Sequence, residues 1–122
     1  MKAYFIGIGG IGVSALAQYY LSKGHQVSGS DLVASEITDF LKQKKIKIFI
    51  GNFAKNIKKD LDLVVYSPAV KEDNKELQQV RKLQVASKKL KVMSYPEALG
   101  ELTEEYYTIA VAGAHGKARQ PQ

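Results

Sequence analysis

Six residues near the start of the chain, GIGGIG at Gly7–Gly12, carry the spacing G-x-G-x-x-G. They follow an apolar run and precede a segment of helical periodicity, the setting in which this spacing holds a pyrophosphate. Gly7 permits a tight turn, Gly9 lets the backbone approach the phosphate, and Gly12 lets the helix pack closely on the strand. Gly10 is one more position without a β-carbon. Exposed N–H groups around Gly9, Gly10, Ile11 and Gly12, at the start of the helix, attract an anion. Asp31 stands 19 residues beyond Gly12, where an acid in dinucleotide-binding domains accepts a hydrogen bond from a ribose hydroxyl. The plainer alternatives are a glycine turn that serves packing alone and an Asp31 that caps a helix.

A second glycine-bearing stretch, GAHGK at Gly113–Lys117, also follows an apolar run. A full phosphate loop reads G-x-x-x-x-G-K-[ST]. Here Val111 stands at the first glycine position and Ala118 at the hydroxyl position, so the group that would hold Mg²⁺ is missing. A turn with an exposed lysine explains this stretch equally well by itself. His25 and His115 are far apart and without clustered ligands, so no metal site is expected. His25, after a helix stop, is expected at the surface, and the pairs Tyr19–Tyr20 and Tyr106–Tyr107 are expected to pack.

These groups need elements to position them. The segments Ala3–Ile8, His25–Asp31, Ile46–Ile50, Leu61–Ser67 and Lys91–Ser94 read as strands. A further run, Tyr106–Gly113, reads as a last strand leading into the second loop. Helical spacing covers Ile11–Lys23. Ser35 caps a helix through Leu41, Asp73 with Glu76 forms a capping-box start for the next, and Pro96 opens a short helix through Leu99 and Leu102. Strands alternating with helices imply α/β class: a Rossmann-like, doubly wound, mainly parallel sheet of about five strands flanked by helices. All strand C-termini then share one edge. The Gly7–Gly12 loop, Asp31, Asn52, Ser67 and Gly113–Lys117 meet there, where such folds bind ligands.

Composition narrows the function classes. The chain has 122 residues, 45% hydrophobic and 25% charged, with no cysteine and a net charge of +6. That suits one globular domain and excludes a disulfide framework or a thiolate metal site. The apolar runs are shorter than the roughly 20 residues that span a bilayer, and no signal-peptide pattern is present. A cytoplasmic protein is expected. Its lysines are scattered without interleaved aromatics, so no nucleic-acid partner is expected.

The two glycine loops together resemble those of the Mur ligases, ATP-dependent amino-acid ligases of peptidoglycan synthesis. FIGIGGIGVSALA (Phe5–Ala17), GSD (Gly29–Asp31), GNFAKNI (Gly51–Ile57), VVYSPAV (Val64–Val70) and VAGAHGK (Val111–Lys117) carry the likeness, in the family's order. The resemblance implies three domains in the whole enzyme, of which this chain would supply the first. Residues 1–107 would bind the UDP part of UDP-N-acetylmuramate, through Gly9–Gly12, Asp31 and Ser67. Residues 108–122 would be the cut start of the ATP-binding central domain, with Gly113, Ala114, His115, Gly116 and Lys117 as a partial ATP loop and ARQPQ as a tail foreign to the family. The resemblance also implies the reaction: ATP phosphorylates the lactyl carboxylate, and the amine of L-alanine, or of a recycled tripeptide in a related ligase, attacks it. ATP and Mg²⁺ would serve the full-length enzyme, with none held tightly by this chain and no ligation by this chain alone. Asn52 departs from the family's histidine in G-H-x-x-x-N, Ala114 replaces a hydroxyl residue, and Pro68 replaces a second serine, leaving Ser67 as the polar contact. An NAD-binding module is the rival reading; it suits Gly7, Gly9, Gly12 and Asp31 equally and leaves GAHGK unexplained.

Overall fold

A computed structural model describes residues 1–116. Five strands, β1 (Lys2–Ile6), β2 (Gln26–Asp31), β3 (Lys47–Ile50), β4 (Leu63–Tyr66) and β5 (Lys91–Ser94), alternate with four helices, α1 (Ile11–Ser22), α2 (Glu36–Gln43), α3 (Lys75–Ala86) and α4 (Tyr95–Gly116). A 3-10 turn at Ala54–Asn56 follows β3. The sheet order is β3-β2-β1-β4-β5 and every pairing is parallel. The expected doubly wound α/β fold is therefore observed. Strand order reverses between β1 and β4, and the crevice beyond their C-terminal ends is where such a fold takes ligand.

Alternation along the strands sorts two cores. Phe5, Ile8, Val13, Leu16, Leu41, Val65 and Met93 build the face covered by α1, α2 and α4. Tyr4, Ile6, Val64, Leu77 and Val80 build the face covered by α3. β1 and β4 are central and buried on both faces, so they read as continuous apolar runs rather than alternating ones.

Local signals set the helix starts. Ser35 Oγ accepts from the Thr38 N–H and Thr38 Oγ1 from the Ser35 N–H, a reciprocal box. At α3 the cap is Asn74, whose Oδ1 accepts from the Leu77 N–H at 3.0 Å. The expectation of Asp73 with Glu76 was one residue out, and Glu76 turns into the core instead of capping.

The second departure is larger. Tyr106–Gly113, expected as a strand, is part of α4, which runs unbroken from Tyr95 through Gly116. A strand needs a neighbour to satisfy its backbone groups, whereas a helix satisfies its own. Among the described residues the sheet ends at β5 on that side, so the segment has no ladder to join. Its apolar residues Ile109 and Val111 remain exposed. The Tyr106 hydroxyl donates to the Tyr19 hydroxyl at 3.0 Å, fastening α4 to α1.

Candidate functional site

The C-terminal edge of the sheet opens into a cleft of about 480 Å³. Gly7 and Gly10 come from the β1–α1 turn, Ser30 and Asp31 from the end of β2, and Asn52 from beyond β3. Ser67, Lys71 and Asp73 come from the turn after β4. The cleft thus straddles the switch point and brings together the expected Gly10, Asp31 and Ser67.

The glycine loop is built by close contacts. Gly7 has φ +82°, a left-handed conformation that favours glycine, and a β-carbon on it would stand 2.7 Å from Ser67 Cβ. The Gly7 and Ile8 N–H groups both donate to the Ser30 carbonyl at 2.9 Å. The Gly9 N–H donates to Asp31 Oδ2 at 2.8 Å, and a β-carbon on Gly9 would meet that same oxygen at 2.7 Å. The other oxygen, Oδ1, accepts from the Leu32 N–H at 2.8 Å. Asp31 is therefore a clasp between the β2 end and the glycine loop, with lone pairs left for a hydroxyl or amide donor.

Not every expected residue faces the cleft. The side chain of Ile11 is exposed on a shallow groove between α1 and α2, with Phe40 and Ile37. Gly12 was expected to let α1 approach a strand, but it meets α4: a β-carbon there would stand 2.6 Å from the Tyr95 hydroxyl. The groups that Ile11 and Gly12 can offer the cleft are their backbone amides. Gly10, the N-cap of α1, offers no side-chain cap, so the amides of Ile11, Gly12 and Val13 have no intrahelical acceptor. They form an anion-attracting end at the cleft rim, where Gly10 sits.

Ser67 bends over Gly7. Its N–H continues the ladder to the Ile6 carbonyl at 2.9 Å, and its Oγ accepts from the Ala69 N–H at 3.2 Å. The hydroxyl proton stays free to donate. Asn52 lines the cleft, but its Oδ1 accepts from the Glu76 N–H at 3.0 Å, supporting the start of α3. Lys71 and Leu32 were not singled out from the sequence, and Asp73 was read there only as a helix cap. Their signal was positional, since a turn that follows a central parallel strand lies on the ligand edge.

Beneath the cleft floor lies Glu76, fully buried. It accepts from the Tyr4 hydroxyl at 3.0 Å, the Asn56 Nδ2 at 2.8 Å and the Ser30 hydroxyl. Burial pushes the Tyr4 phenol well above its ordinary value, so it stays protonated and donates. Nothing in the sequence pattern pointed to this cluster.

Gly113, Ala114, His115 and Gly116 lie in the last turn of α4 rather than in a loop after a strand, and Lys117 lies outside the described residues. The described part of the stretch makes no phosphate cradle. No group of three or more metal-ligating side chains occurs among the described residues. His25 lies at the surface, half-buried, at the opposite edge of the sheet, with Nδ1 3.1 Å from the N-terminal amine. Tyr20 packs on Phe5, with ring centroids 5.9 Å apart. No helix among the described residues is long and apolar enough to cross a membrane.

Charge in the cleft is mixed. Asp31 and Asp73 ask for donors, while Lys71 and the α1 amides ask for an anion. One ligand satisfies both if it joins a hydroxyl-bearing group to a phosphate. Fold and cleft together define a Rossmann-like α/β domain with its ligand site at the switch point of a parallel sheet. A family model described as "Mur ligase family, catalytic domain" matches residues 2–107, and the chain belongs to the Mur ligase family. It is 46% identical over 117 residues to the UDP-N-acetylmuramate–L-alanine ligase of Clostridium kluyveri, covering 95% of this chain and 24% of that protein. Among solved structures, the UDP-N-acetylmuramate–alanine ligase of Thermotoga maritima superposes with a TM-score of 0.78 at 35% identity, over 86% of this chain and 23% of that one. A murein peptide ligase from Psychrobacter arcticus gives 0.67 at 26% identity, over 83% of this chain and 20% of that one. The chain spans about a quarter of the length of the curated relatives it matches.

Proposed function

We propose that this chain is the UDP-binding part of an ATP-dependent ligase that joins L-alanine to UDP-N-acetylmuramate. Residues 1–107 form the sugar-nucleotide domain, and 108–122 belong to the approach to an ATP-binding domain. The observation that carries the reading is the cleft itself: the uncapped start of α1, Lys71 and Asp31 come together at the switch point. In this reading the amides of Ile11 and Gly12, with Gly10 leaving room, receive the diphosphate. Asp31 accepts from the nucleoside, and the Ser67 hydroxyl donates to the diphosphate or the sugar. Gly9 acts indirectly, because its amide already holds Asp31.

The domain's work is anchoring. Binding energy collected at the nucleotide end positions a distant carboxylate for reaction in the whole enzyme. ATP and Mg²⁺ belong to that whole enzyme; the described residues offer neither a cradle nor a ligand set for them. The partners implied are UDP-N-acetylmuramate and the remaining domains of the same ligase.

Calorimetric titration with UDP-N-acetylmuramate, UDP and NADH tests the reading. Binding of both uridine ligands, with NADH far weaker, is expected. Tight NADH binding with no response to UDP overturns it in favour of a dinucleotide module. Asp31→Asn is expected to weaken UDP by about tenfold, the scale of one charge-assisted hydrogen bond.

A further inference from the structure

We propose that Glu76 is a positioning residue for the glycine loop, acting through Ser30 without touching ligand. This rests on the reading of the cleft as a UDP site. Glu76 is fully buried and its carboxylate receives three donors from three segments: Tyr4 of β1, Ser30 of β2 and Asn56 of the 3-10 turn. Its backbone N–H is held by Asn52, a cleft residue. No Lys or Arg pairs with it among the described residues.

Burying a carboxylate without a cation is costly unless its oxygens are satisfied by donors. A well-packed apolar side chain in such a place is often as stable or more so. Stability alone therefore gives no reason for an acid at this position. Geometry gives one. Ser30 lines the cleft, its hydroxyl is fixed by Glu76, and its carbonyl receives both the Gly7 and the Ile8 N–H at 2.9 Å. Those two amides set the pitch of the turn that delivers α1's uncapped end to the rim. On the other side, Glu76 anchors Asn52 and Asn56, which carry the wall beyond β3. One buried carboxylate thus ties the anion-receiving side of the cleft to the opposite wall.

Glutamine is the informative substitution. It keeps the volume, but offers one acceptor oxygen and adds donors of its own, so at least one of the three partners loses its acceptor. The test compares wild type, Glu76→Gln, Ser30→Ala, the double variant of the two, and a control, Val80→Ala. Val80 is buried on the same helix and packs on the same face, but does not line the cleft. UDP affinity is measured by calorimetry below each variant's melting transition. Amide exchange at Gly7 and Ile8 is measured by NMR against the mid-strand amides of Val64 and Val65, which report global opening.

Glu76→Gln is expected to weaken UDP by about tenfold and to speed exchange at Gly7 and Ile8 beyond the change at Val64 and Val65. Val80→Ala is expected to lower stability while leaving affinity within about twofold. The losses from Glu76→Gln and Ser30→Ala should combine less than additively, because they break the same chain. Unchanged affinity together with parallel exchange at all four amides would mark Glu76 as structural only and overturn the proposal. If wild type binds no UDP, the reading of the cleft fails, and exchange at Gly7 and Ile8 still decides the role of Glu76. If Glu76→Gln does not fold, Ser30→Ala carries the test through the same two amides: unchanged exchange there overturns the linkage.

Discussion

On the α1 face of the sheet, Phe5, Ile8, Leu16 and Val65 pack apolar atoms alone, whereas on the α3 face Tyr4 and Ser30 turn hydroxyls inward to meet Glu76. The core residues of both faces are buried. The first obtains its order from the non-directional burial of apolar area. The second adds directional bonds that fix where β1, β2 and the segment after β3 end relative to one another. The cleft lies at those three ends. The face that holds the fold and the face that shapes the site are therefore separable by mutation.

Phe5→Ala should show the largest effect. Phe5 is fully buried, and such truncations cost about 3–5 kcal/mol. Urea unfolding should register that loss with UDP affinity unchanged in the folded fraction. A parallel loss of affinity would show that the apolar face also shapes the cleft. Gly7→Ala should come next, at about 1–3 kcal/mol for the left-handed backbone alone. The new β-carbon would also press on Ser67 at 2.7 Å. Here stability and UDP affinity should fall together, the reverse of Phe5→Ala. Full affinity in Gly7→Ala would remove the tight turn from the site.

Much of this was legible in the sequence, for local reasons. The β1 run, the glycine spacing and the Ser35 cap are contiguous patterns, and each is observed where the pattern places it. What escaped depends on partners distant in sequence. Glu76 looks like a helix-start acid, and its burial follows from Tyr4, Ser30 and Asn56 converging from other elements. Gly12 reads as a strand-packing glycine until Tyr95 is seen against it. Tyr106–Gly113 has strand composition, but no neighbouring strand is present among the described residues to accept it, so the helix prevails. Lys71 needs the topology before its place on the ligand edge can be read.

A smaller contrast lies between helix starts on the α1 face that carry caps and the α1 start that carries none. Ser35→Ala removes one half of the α2 box and should cost about 1 kcal/mol, read by thermal or urea unfolding, with no change in UDP affinity. At the start of α4, Glu97 Oε1 accepts from the Ser94 N–H at 2.8 Å while Ser94 Oγ accepts from the Glu97 N–H at 3.3 Å. The bond from the Ser94 backbone, then the one with its side chain, holds the Glu97 carboxyl below its ordinary value of 4.5. A carboxyl depressed in the folded state stabilises it above the unfolded value, and that contribution is lost as pH falls through the folded value. Stability should therefore drop between pH 5 and more acid conditions, and Glu97→Gln should flatten part of that slope in urea titrations at successive pH values. Asp60, depressed by its hydrogen bond with Lys2, acts in the same direction and should leave a residual slope that Asp60→Asn removes. An acid slope identical in wild type and Glu97→Gln would show that the charge of Glu97 adds nothing to the cap of α4, leaving the α2 box as the stabilising helix start of this face.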